Sequence, residues 1–286
     1  MKTGYFPGCS LTSTAKNYDL STRAVFNALD VQLEEVPDWS CCGSTPAHMT
    51  DHLLALALSA RNLALAEKAG MTEIMAPCAA CFGHMRAAEI ECRNQETHQK
   101  VQQAIEMKYN NSVHVLNVLE LLERIGSDQV AKKVKKSLKG LKVAPYYGCL
   151  LTRPAKYAQF DHPTNPVSMD NLLAALGADV VEWTAKTDCC GSSHVLTRLE
   201  LVVDLSGKIV FAAKDAGADV IATACPMCMS NLDMRQAAME KATGRDAKVP
   251  VMYITELLGM ALGLSNSDLG VRKHVVSTAP VLAKIS

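Results

Sequence analysis

The apolar and polar positions of this chain follow two periods, one typical of strands and the other typical of helices. Short apolar runs between turn residues predict buried strands. Longer stretches with apolar residues three or four positions apart predict amphipathic helices, and Gly70 and Gly217 suit the ends of two of them. The predicted strands are residues 2–6, 31–36, 73–76, 113–115, 142–147, 180–183, 220–223 and 249–253. The predicted helices are residues 14–29, 49–69, 81–90, 95–109, 116–125, 169–176, 196–216 and 255–262, with another from Pro226, while residues 160–166 and the tail from Ser265 are predicted to be irregular.

The second half of the chain repeats the element pattern of the first. The helix end at Ala69-Gly70 recurs as Ala216-Gly217, and residues 118–122 resemble residues 254–258. Repetition at a nearly constant offset is the mark of a tandem duplication. Because strands and helices alternate, we expect an α/β fold with sheets that are at least partly parallel. The predicted architecture is two similar α/β cysteine-rich domains, residues 1–140 and 141–286.

Ten of the eleven cysteines belong to a motif that is written twice. Each copy has a Gly-Cys pair, then a Cys-Cys-Gly triplet, then a Cys-x-x-Cys pair, all in loops that follow predicted strands. The first copy contains Cys9, Cys41, Cys42, Cys78 and Cys81, and the second contains Cys149, Cys189, Cys190, Cys225 and Cys228. Adjacent cysteines cannot bond each other without strain, but a turn at the next glycine lets both point into one pocket. Cys92 stands outside the motif and is expected to be a buried helix residue.

Composition narrows the class of protein. The 286 residues contain 29 basic and 29 acidic side chains, so charge does not favour a nucleic acid or an anionic membrane as partner. The N-terminus runs directly into a strand without a signal peptide, and the longest apolar run, residues 53–58, is too short to span a bilayer. We therefore expect a cytoplasmic protein. Eleven cysteines in a reducing compartment indicate metal or redox chemistry rather than a disulfide framework.

A lysine-rich amphipathic segment, residues 128–139, lies between the two halves. Its basic side chains are Lys132, Lys133, Lys135, Lys136 and Lys139. One interpretation is a solvated helix face that links the halves, and the other is a surface that docks an acidic partner.

Five thiols in a copy exceed the four that a tetrahedral zinc ion or an ordinary cubane cluster needs. The three pieces of each motif are also too far apart for a zinc ribbon or a ferredoxin run, so the site must collect loops from different strand ends. This arrangement favours a polynuclear iron–sulfur cluster of unusual shape. Zinc in one or both sites, or disulfides, are the alternatives that the residues leave open.

The twice-written motif resembles the cysteine-rich (CCG) family, and within it the B subunit of heterodisulfide reductases. Residues 186–191 and 224–228 are also typical of that B subunit, and the resemblance covers essentially the whole chain. It implies a non-cubane [4Fe–4S] cluster on each five-cysteine copy. It further implies reduction of the mixed disulfide of coenzyme M and coenzyme B, with the S–S bond cleaved between two clusters that each supply one electron.

The resemblance also implies partners. No GxGxxG follows a strand and no P-loop is present, so electrons must come from another subunit. By resemblance this is the ferredoxin-like C subunit of a heterodisulfide reductase, fed by its flavoprotein A subunit, in a multi-subunit complex. Rival functions are a bacterial relative that works on another disulfide or thiol in sulfur metabolism, and an electron-relay subunit of a lactate or glycolate oxidase type complex.

Two histidines follow the double cysteines closely. His48 lies six residues after Cys42, and His194 lies four after Cys190. Reduction to two thiols needs two protons, and imidazole titrates in the useful range, so we consider both as proton donors or as contacts for substrate anions. The alternative is that they only cap or pack after the loop.

Overall fold

The computed structural model describes residues 1–44 and 47–285, and its framework is two four-stranded parallel sheets. The strand order is β2-β1-β3-β4 in the first sheet and β6-β5-β7-β8 in the second. The first sheet consists of β1 (Lys2–Tyr5), β2 (Gln32–Glu35), β3 (Glu73–Met75) and β4 (His114–Leu116). The second consists of β5 (Lys142–Tyr146), β6 (Asp179–Val180), β7 (Val220–Thr223) and β8 (Val251–Tyr253). The predicted duplicated α/β fold is confirmed.

Helices cover both sheets and connect the parallel strands. In the first half they are α1 (Gly8–Thr12), α2 (Lys16–Ala28), α3 (Ala47–Thr50), α4 (His52–Lys68), α5 (Ala79–Glu91), α6 (Gln95–Ile105), α7 (Val118–Ile125) and α8 (Ser127–Lys132). In the second half they are α9 (Ala155–Ala158), α10 (Ser168–Ala175), α11 (Leu199–Asp215), α12 (Pro226–Met234), α13 (Gln236–Thr243), α14 (Ile254–Ala261), α15 (Asn266–Leu269) and α16 (Ala279–Ile285). Two 3₁₀ turns span Ser192–His194 and Val271–Lys273.

The central strands explain where the cysteines lie. β1 and β3 are buried on both faces in the first sheet, as β5 and β7 are in the second, because helices pack on each side. Tyr5 is in register with Met75, and Met75 with Leu116. Parallel strands therefore end at one edge, and the chain segments that leave this edge carry the cysteine motifs.

The predicted strand at residues 180–183 is shorter than expected, since β6 ends at Val180. Val181 still donates to the carbonyl of Val143, but Pro145, two residues along β5, has no N–H with which to continue the ladder. The indole Nε1 of Trp183 donates to the Pro145 carbonyl instead, at 3.1 Å. A proline in a neighbouring strand thus ends β6.

The prediction that the tail from Ser265 is irregular is wrong for the part that the structure describes, while Ser286 lies outside the described residues. Helices α15 and α16 form there. The tail is held because His274 Nε2 lies 2.9 Å from Glu256 Oε2, and the carboxylate of Asp233 accepts the backbone N–H groups of Val275 and Val276. These long-range contacts have no local pattern in the sequence.

The lysine-rich segment is helical only as far as Lys132, so the predicted helix face does not extend to residue 139. Beyond that point the backbone N–H groups of Lys135 and Lys136 donate to the carbonyl of Ala261, the last residue of α14. The segment caps another helix, which satisfies one of its free carbonyl groups. The ammonium of Lys133 contacts the Ala28 carbonyl and Asp30.

The two halves pack closely through helices next to the cysteine loops. Asn17 of α2 donates to Glu256 of α14 at 3.1 Å, and the hydroxyls of Ser21 and Thr255 are 2.7 Å apart. On the other side Arg86 of α5 donates to the carbonyl of residue 157 in the second half. Among the described helices, none is long and apolar enough to cross a membrane.

Candidate metal centre

The ten repeated cysteines come together at the strand ends. We call Cys9, Cys41, Cys42, Cys78 and Cys81 the first cysteine set, and Cys149, Cys189, Cys190, Cys225 and Cys228 the second cysteine set. All eleven cysteines have free thiols. In the first set Cys9 lies in α1 after β1, the double cysteine follows β2, and Cys78 begins α5 after β3. The second set repeats this arrangement after β5, β6 and β7.

Sulfur atoms within each set are in contact. The sulfurs of Cys42 and Cys81 are 3.4 Å apart, and those of Cys190 and Cys228 are 3.6 Å apart. Electrostatic interactions also couple Cys41 with Cys42 and Cys78 with Cys81. The second set has the matching interactions between Cys149 and Cys189 and between Cys225 and Cys228, so the sulfurs lie near one another in the same pairs in both sets.

The two sets also lie next to each other. The thiols of Cys78 and Cys225 interact electrostatically: Cys225 raises the pKa of Cys78, while Cys228 and, to a lesser degree, Cys78 lower the pKa of Cys225. The hydroxyl of Tyr18 lies between the same two loops, 3.3 Å from the carbonyl of Pro77 and 3.1 Å from that of Ala224. The Tyr18 ring stacks on Tyr253 with centroids 4.0 Å apart. The inner cysteines of the two sets therefore lie on neighbouring loops at the junction of the two halves.

Exposure varies in the same way across both sets. Both residues of each Cys-x-x-Cys pair, and the second residue of each double cysteine, are buried. Cys9, Cys41 and Cys189 are exposed, and Cys149 is half-buried. Each set is thus closed to water at its inner end and open at the ends of β1 and β2, or of β5 and β6.

Two glycines bring backbone against sulfur. Gly8 and Gly148 both have φ of +67°, a conformation that other residues adopt only with strain. A Cβ atom at Gly8 would lie 2.9 Å from the sulfur of Cys81, and one at Gly148 would lie 3.0 Å from the sulfur of Cys228. Side chains at these positions would therefore occupy the space beside the buried sulfurs.

The thiols of each set hold their protons unequally. The pKa values of Cys42, Cys189 and Cys225 are lowered toward the thiolate form that metal ions bind, and those of their neighbours Cys41, Cys78, Cys81, Cys149 and Cys228 are raised. A hydrogen bond from Cys149 lowers the pKa of Cys189 to about 6, with help from the Gly191 N–H and the charge of Arg153. Hydrogen bonds from Cys41 and Cys81 lower the pKa of Cys42. Each set therefore already favours at least one thiolate.

The donor set fits a polynuclear iron–sulfur group. Five thiols, partly desolvated and in mutual contact, supply only sulfur, which such clusters prefer. In the described part of the chain no three cysteine, histidine or carboxylate side chains converge as ligands of one metal ion.

The two predicted histidines are both exposed, but they have different neighbours. His194 is exposed at the end of the turn Ser192–His194, and its charge helps to lower the pKa of Cys189. His48 is also exposed, and its ring centroid is 5.1 Å from that of His84.

Sequence reasoning missed His84, which is largely buried in α5 and interacts electrostatically with Cys42. Burial lowers the pKa of His84, and the thiolate of Cys42 opposes this shift. The sequence signal for His84 is its position three residues after Cys81, which puts both side chains on the same face of the helix.

Cys92 lies at the end of α5 and is buried. Burial raises the pKa of its thiol to about 11, and Glu91 adds to the shift. An apolar setting of this kind favours the protonated thiol, which agrees with the expected packing role.

Known proteins match this chain over most of its length. The profile of the cysteine-rich domain (CCG) family matches residues 3–86 and 143–233. A protein of Wolinella succinogenes named 8-methylmenaquinol:fumarate reductase membrane anchor subunit is 32% identical over 95% of this chain and 96% of its own.

Two further relatives come from the genus Methanosarcina. A Methanosarcina acetivorans protein, named as the B subunit of a Ferredoxin/F(420)H(2)-dependent CoB-CoM heterodisulfide reductase, is 31% identical over 99% of this chain and 97% of its own. A Methanosarcina mazei protein, named as the B subunit of a Ferredoxin:CoB-CoM heterodisulfide reductase, is 29% identical with the same coverage. A crystal structure of a hypothetical protein from Helicobacter pylori shares the fold, with a TM-score of 0.75 at 13% identity, over 96% of this chain and 52% of that one.

Proposed function

The chain belongs to the cysteine-rich (CCG) domain family, and from that membership we propose that it is the disulfide-reducing iron–sulfur subunit of a heterodisulfide reductase. Relatives named as the B subunit of such reductases match nearly the whole chain and support an oxidoreductase role of this type. The observation that carries the proposal is the approach of the two Cys-x-x-Cys loops, which the hydroxyl of Tyr18 joins through the carbonyls of Pro77 and Ala224, the residues just before Cys78 and Cys225. Two electron-carrying groups held there would lie close enough to act on one bond together.

The proposed ligands are the ten cysteines of the two sets, each set holding one non-cubane [4Fe–4S] cluster. When bound, the two clusters would supply one electron each, and the pair would supply the two electrons that cleavage of an S–S bond requires. The reaction balances as one disulfide, two electrons and two protons giving two thiols. The substrate class is a mixed disulfide of the coenzyme M and coenzyme B type.

Protein groups have separate tasks in this proposal. The buried cysteines keep water from the inner end of each set, and the open ends at Cys41 and Cys189 are where a small disulfide would enter. His84, beside Cys42, and His194, beside Cys189, would each hold a proton for one product sulfur. His48, whose exposed ring lies beside that of His84, would contact the substrate at the open end of the first set.

Electrons would arrive from a protein partner. We propose a ferredoxin-like subunit, itself reduced by a flavoprotein subunit, in a larger complex. Two relatives named as B subunits have ferredoxin in their names, which supports electron supply by another protein of a multi-subunit reductase.

A second candidate function is an electron-relay subunit of a quinol:fumarate reductase type complex. The relative from Wolinella succinogenes, at 32% identity over 95% of this chain, favours it. A relay protein would use the same cysteine sets to pass electrons without reducing a disulfide.

Turnover by the full chain separates the two candidates. Anaerobically purified protein with its clusters would be mixed with reduced methyl viologen and a coenzyme M–coenzyme B type disulfide, and viologen oxidation and free thiol would be measured. We expect two viologens oxidised for each disulfide, and loss of turnover in Cys81→Ser and Cys228→Ser. Cys92→Ser, which changes a buried cysteine at the end of α5, is the control and should keep the rate. Fully loaded protein that oxidises no viologen with any disulfide would support the relay role instead.

A further inference from the structure

The two cysteine sets differ in the charges around them. Among the described residues, seven arginines and lysines are half-buried, and five of these have a carboxylate within 4.0 Å. The paired ones are Arg23, Arg61, Lys133, Lys186 and Lys214. The two without a carboxylate partner are Arg153 and Arg235, and both lie at the second cysteine set. A partly desolvated cation without a counter-ion is costly unless a ligand supplies the negative charge.

Arg153 lies at the open end of the second set. One of its terminal N–H groups donates to the carbonyl of Thr187, just before the double cysteine. This hydrogen bond holds the guanidinium at the loop that carries Cys189. In the described part of the chain its remaining N–H groups have no protein acceptor, and they are therefore available to a ligand.

Arg235 lies behind the same set. Its Nε donates to Oδ1 of Asn231 at 3.0 Å, and the amide nitrogen of Asn231 is 3.6 Å from the sulfur of Cys190. One side chain therefore separates the guanidinium from the sulfur. Its two terminal nitrogens have no protein acceptor in the described residues. Asp188, the carboxylate of this loop, is exposed and forms an ion pair with neither arginine.

The first set has no equivalent of these arginines. Arg153 is the fourth residue after Cys149, and the corresponding fourth residue after Cys9 is Ser13. The hydroxyl of Ser13 donates to the carbonyl of Cys9 at 2.6 Å. Ala88 occupies the position that corresponds to Arg235, and His84 the position that corresponds to Asn231. The sulfur ligands are thus duplicated, but the surrounding charge is not.

We infer that the second cysteine set carries an anion subsite: Arg153 binds the anion at the open end of the set, and Arg235, on the far side of Asn231, adds positive charge. The subsite binds the carboxylate, sulfonate or phosphate group of one half of the disulfide, and the other half lies at the first set. The inference rests on the proposed function, because it assumes a sulfur ligand between the sets. Guanidinium groups bind such oxyanions through paired N–H donors, so the subsite fixes which end of a mixed disulfide meets which set.

Binding of small thiols to the cluster-loaded full chain tests this subsite. The probes are 3-mercaptopropionate and 2-mercaptoethanesulfonate, which are anionic, 2-mercaptoethanol, which is neutral, and cysteamine, which is cationic. Dissociation constants would come from the change in the EPR spectrum during titration. We expect the anionic thiols to bind at least about tenfold more tightly than the neutral one, and the cationic thiol to bind most weakly.

Variants assign that preference to the arginines. Arg153→Gln and Arg235→Gln should each reduce the preference for anions about tenfold and leave 2-mercaptoethanol binding unchanged, while Arg153→Lys should keep part of it. Arg245→Gln, which alters an exposed arginine paired with Asp215, is the matched control and should bind as the unaltered protein does.

The outcomes separate the subsite from the function. Thiols that bind with equal affinity whatever their charge would overturn the subsite and leave disulfide reduction standing. Failure of every thiol to bind would overturn both. If a glutamine variant does not fold, thiol binding to the unaltered protein is measured at roughly 50 mM and 500 mM salt instead. The subsite requires the preference for anionic over neutral thiols to fall as salt screens the charges, and a preference that does not change would overturn it.

Discussion

Single residues next to sulfur determine whether the cysteine sets can form at all. Gly8 and Gly148 are duplicates of each other in sequence, in their positive φ and in their distance to a buried sulfur. The sequence places a glycine beside each first cysteine, but only the structure shows that the missing Cβ leaves room for Cys81 or Cys228. The cysteine ligands could be predicted because the motif repeats. Arg153 could not, because its role depends on a contact with a separate loop, and the only sequence signal for His84 is its position three residues after Cys81.

Alanine at these glycines tests the space beside the sulfurs. In Gly148→Ala the added methyl group would lie 3.0 Å from the Cys228 sulfur and force the chain or the sulfur to move. We expect iron bound per chain to fall by about half, because only the second set is damaged. Iron and acid-labile sulfide analysis of the purified variant measures this.

Gly217→Ala is the matched control for that substitution. Gly217 has φ of +77°, but a Cβ there would have no atom within 4 Å. It should therefore show only the backbone penalty, about 1 kcal/mol of unfolding free energy, and normal iron content. Equal loss of iron in both variants would show that backbone strain, and not the space beside sulfur, is responsible.

At the scale of elements, the alternation of strands and helices was predictable and their long-range anchoring was not. The buried apolar runs and helix-ending glycines gave the parallel strands and long helices, because those signals are local. Strand β6 ends early because of Pro145 in a neighbouring strand, and helices α15 and α16 depend on residues such as Glu256 that are distant in sequence. Contacts between residues that are distant in sequence leave no periodic pattern of apolar positions.

Helix α5 is fixed by a buried ion pair that the sequence did not indicate. Arg86 donates to both carboxylate oxygens of Glu89, at 2.8 and 2.7 Å, and to the carbonyl of Tyr157 in the second half at 3.2 Å. Glu89 in turn accepts the N–H of Val115 in β4. The helix that carries Cys81 is thereby tied to both halves.

Replacing Arg86 should therefore cost much more than replacing the other arginine at Glu89. Arg86→Met removes the buried partner of Glu89 and leaves this carboxylate with half-buried His114 and exposed Arg93, so we expect unfolding free energy to fall by about 3 kcal/mol. Arg93→Met removes an exposed partner at 3.4 Å and should cost under about 1 kcal/mol. Urea unfolding of both variants gives the comparison, and similar losses would refute the role assigned to the buried pair.

At the scale of the whole molecule, the duplication places two equal sulfur sets in one site with unequal surroundings. The sets meet where Tyr18 bridges the loops that carry Cys78 and Cys225. Repetition in the sequence predicted two sites. It did not predict their contact, since that depends on how the halves pack through α2 and α14. The arginines without a carboxylate partner lie at the second set, so we expect the anionic half of a mixed disulfide to bind there and the other half to bind at the first set.

The measurement that tests this account most directly is the metal content and spectrum of anaerobically purified protein. We expect about eight irons and about eight acid-labile sulfides per chain, from two four-iron clusters, and an EPR signal that changes when an anionic thiol is added. Cys42→Ser and Cys190→Ser should each remove about half of the iron. Zinc in place of iron, or clusters whose EPR signal does not respond to any thiol or disulfide, would contradict a disulfide-reducing iron–sulfur site.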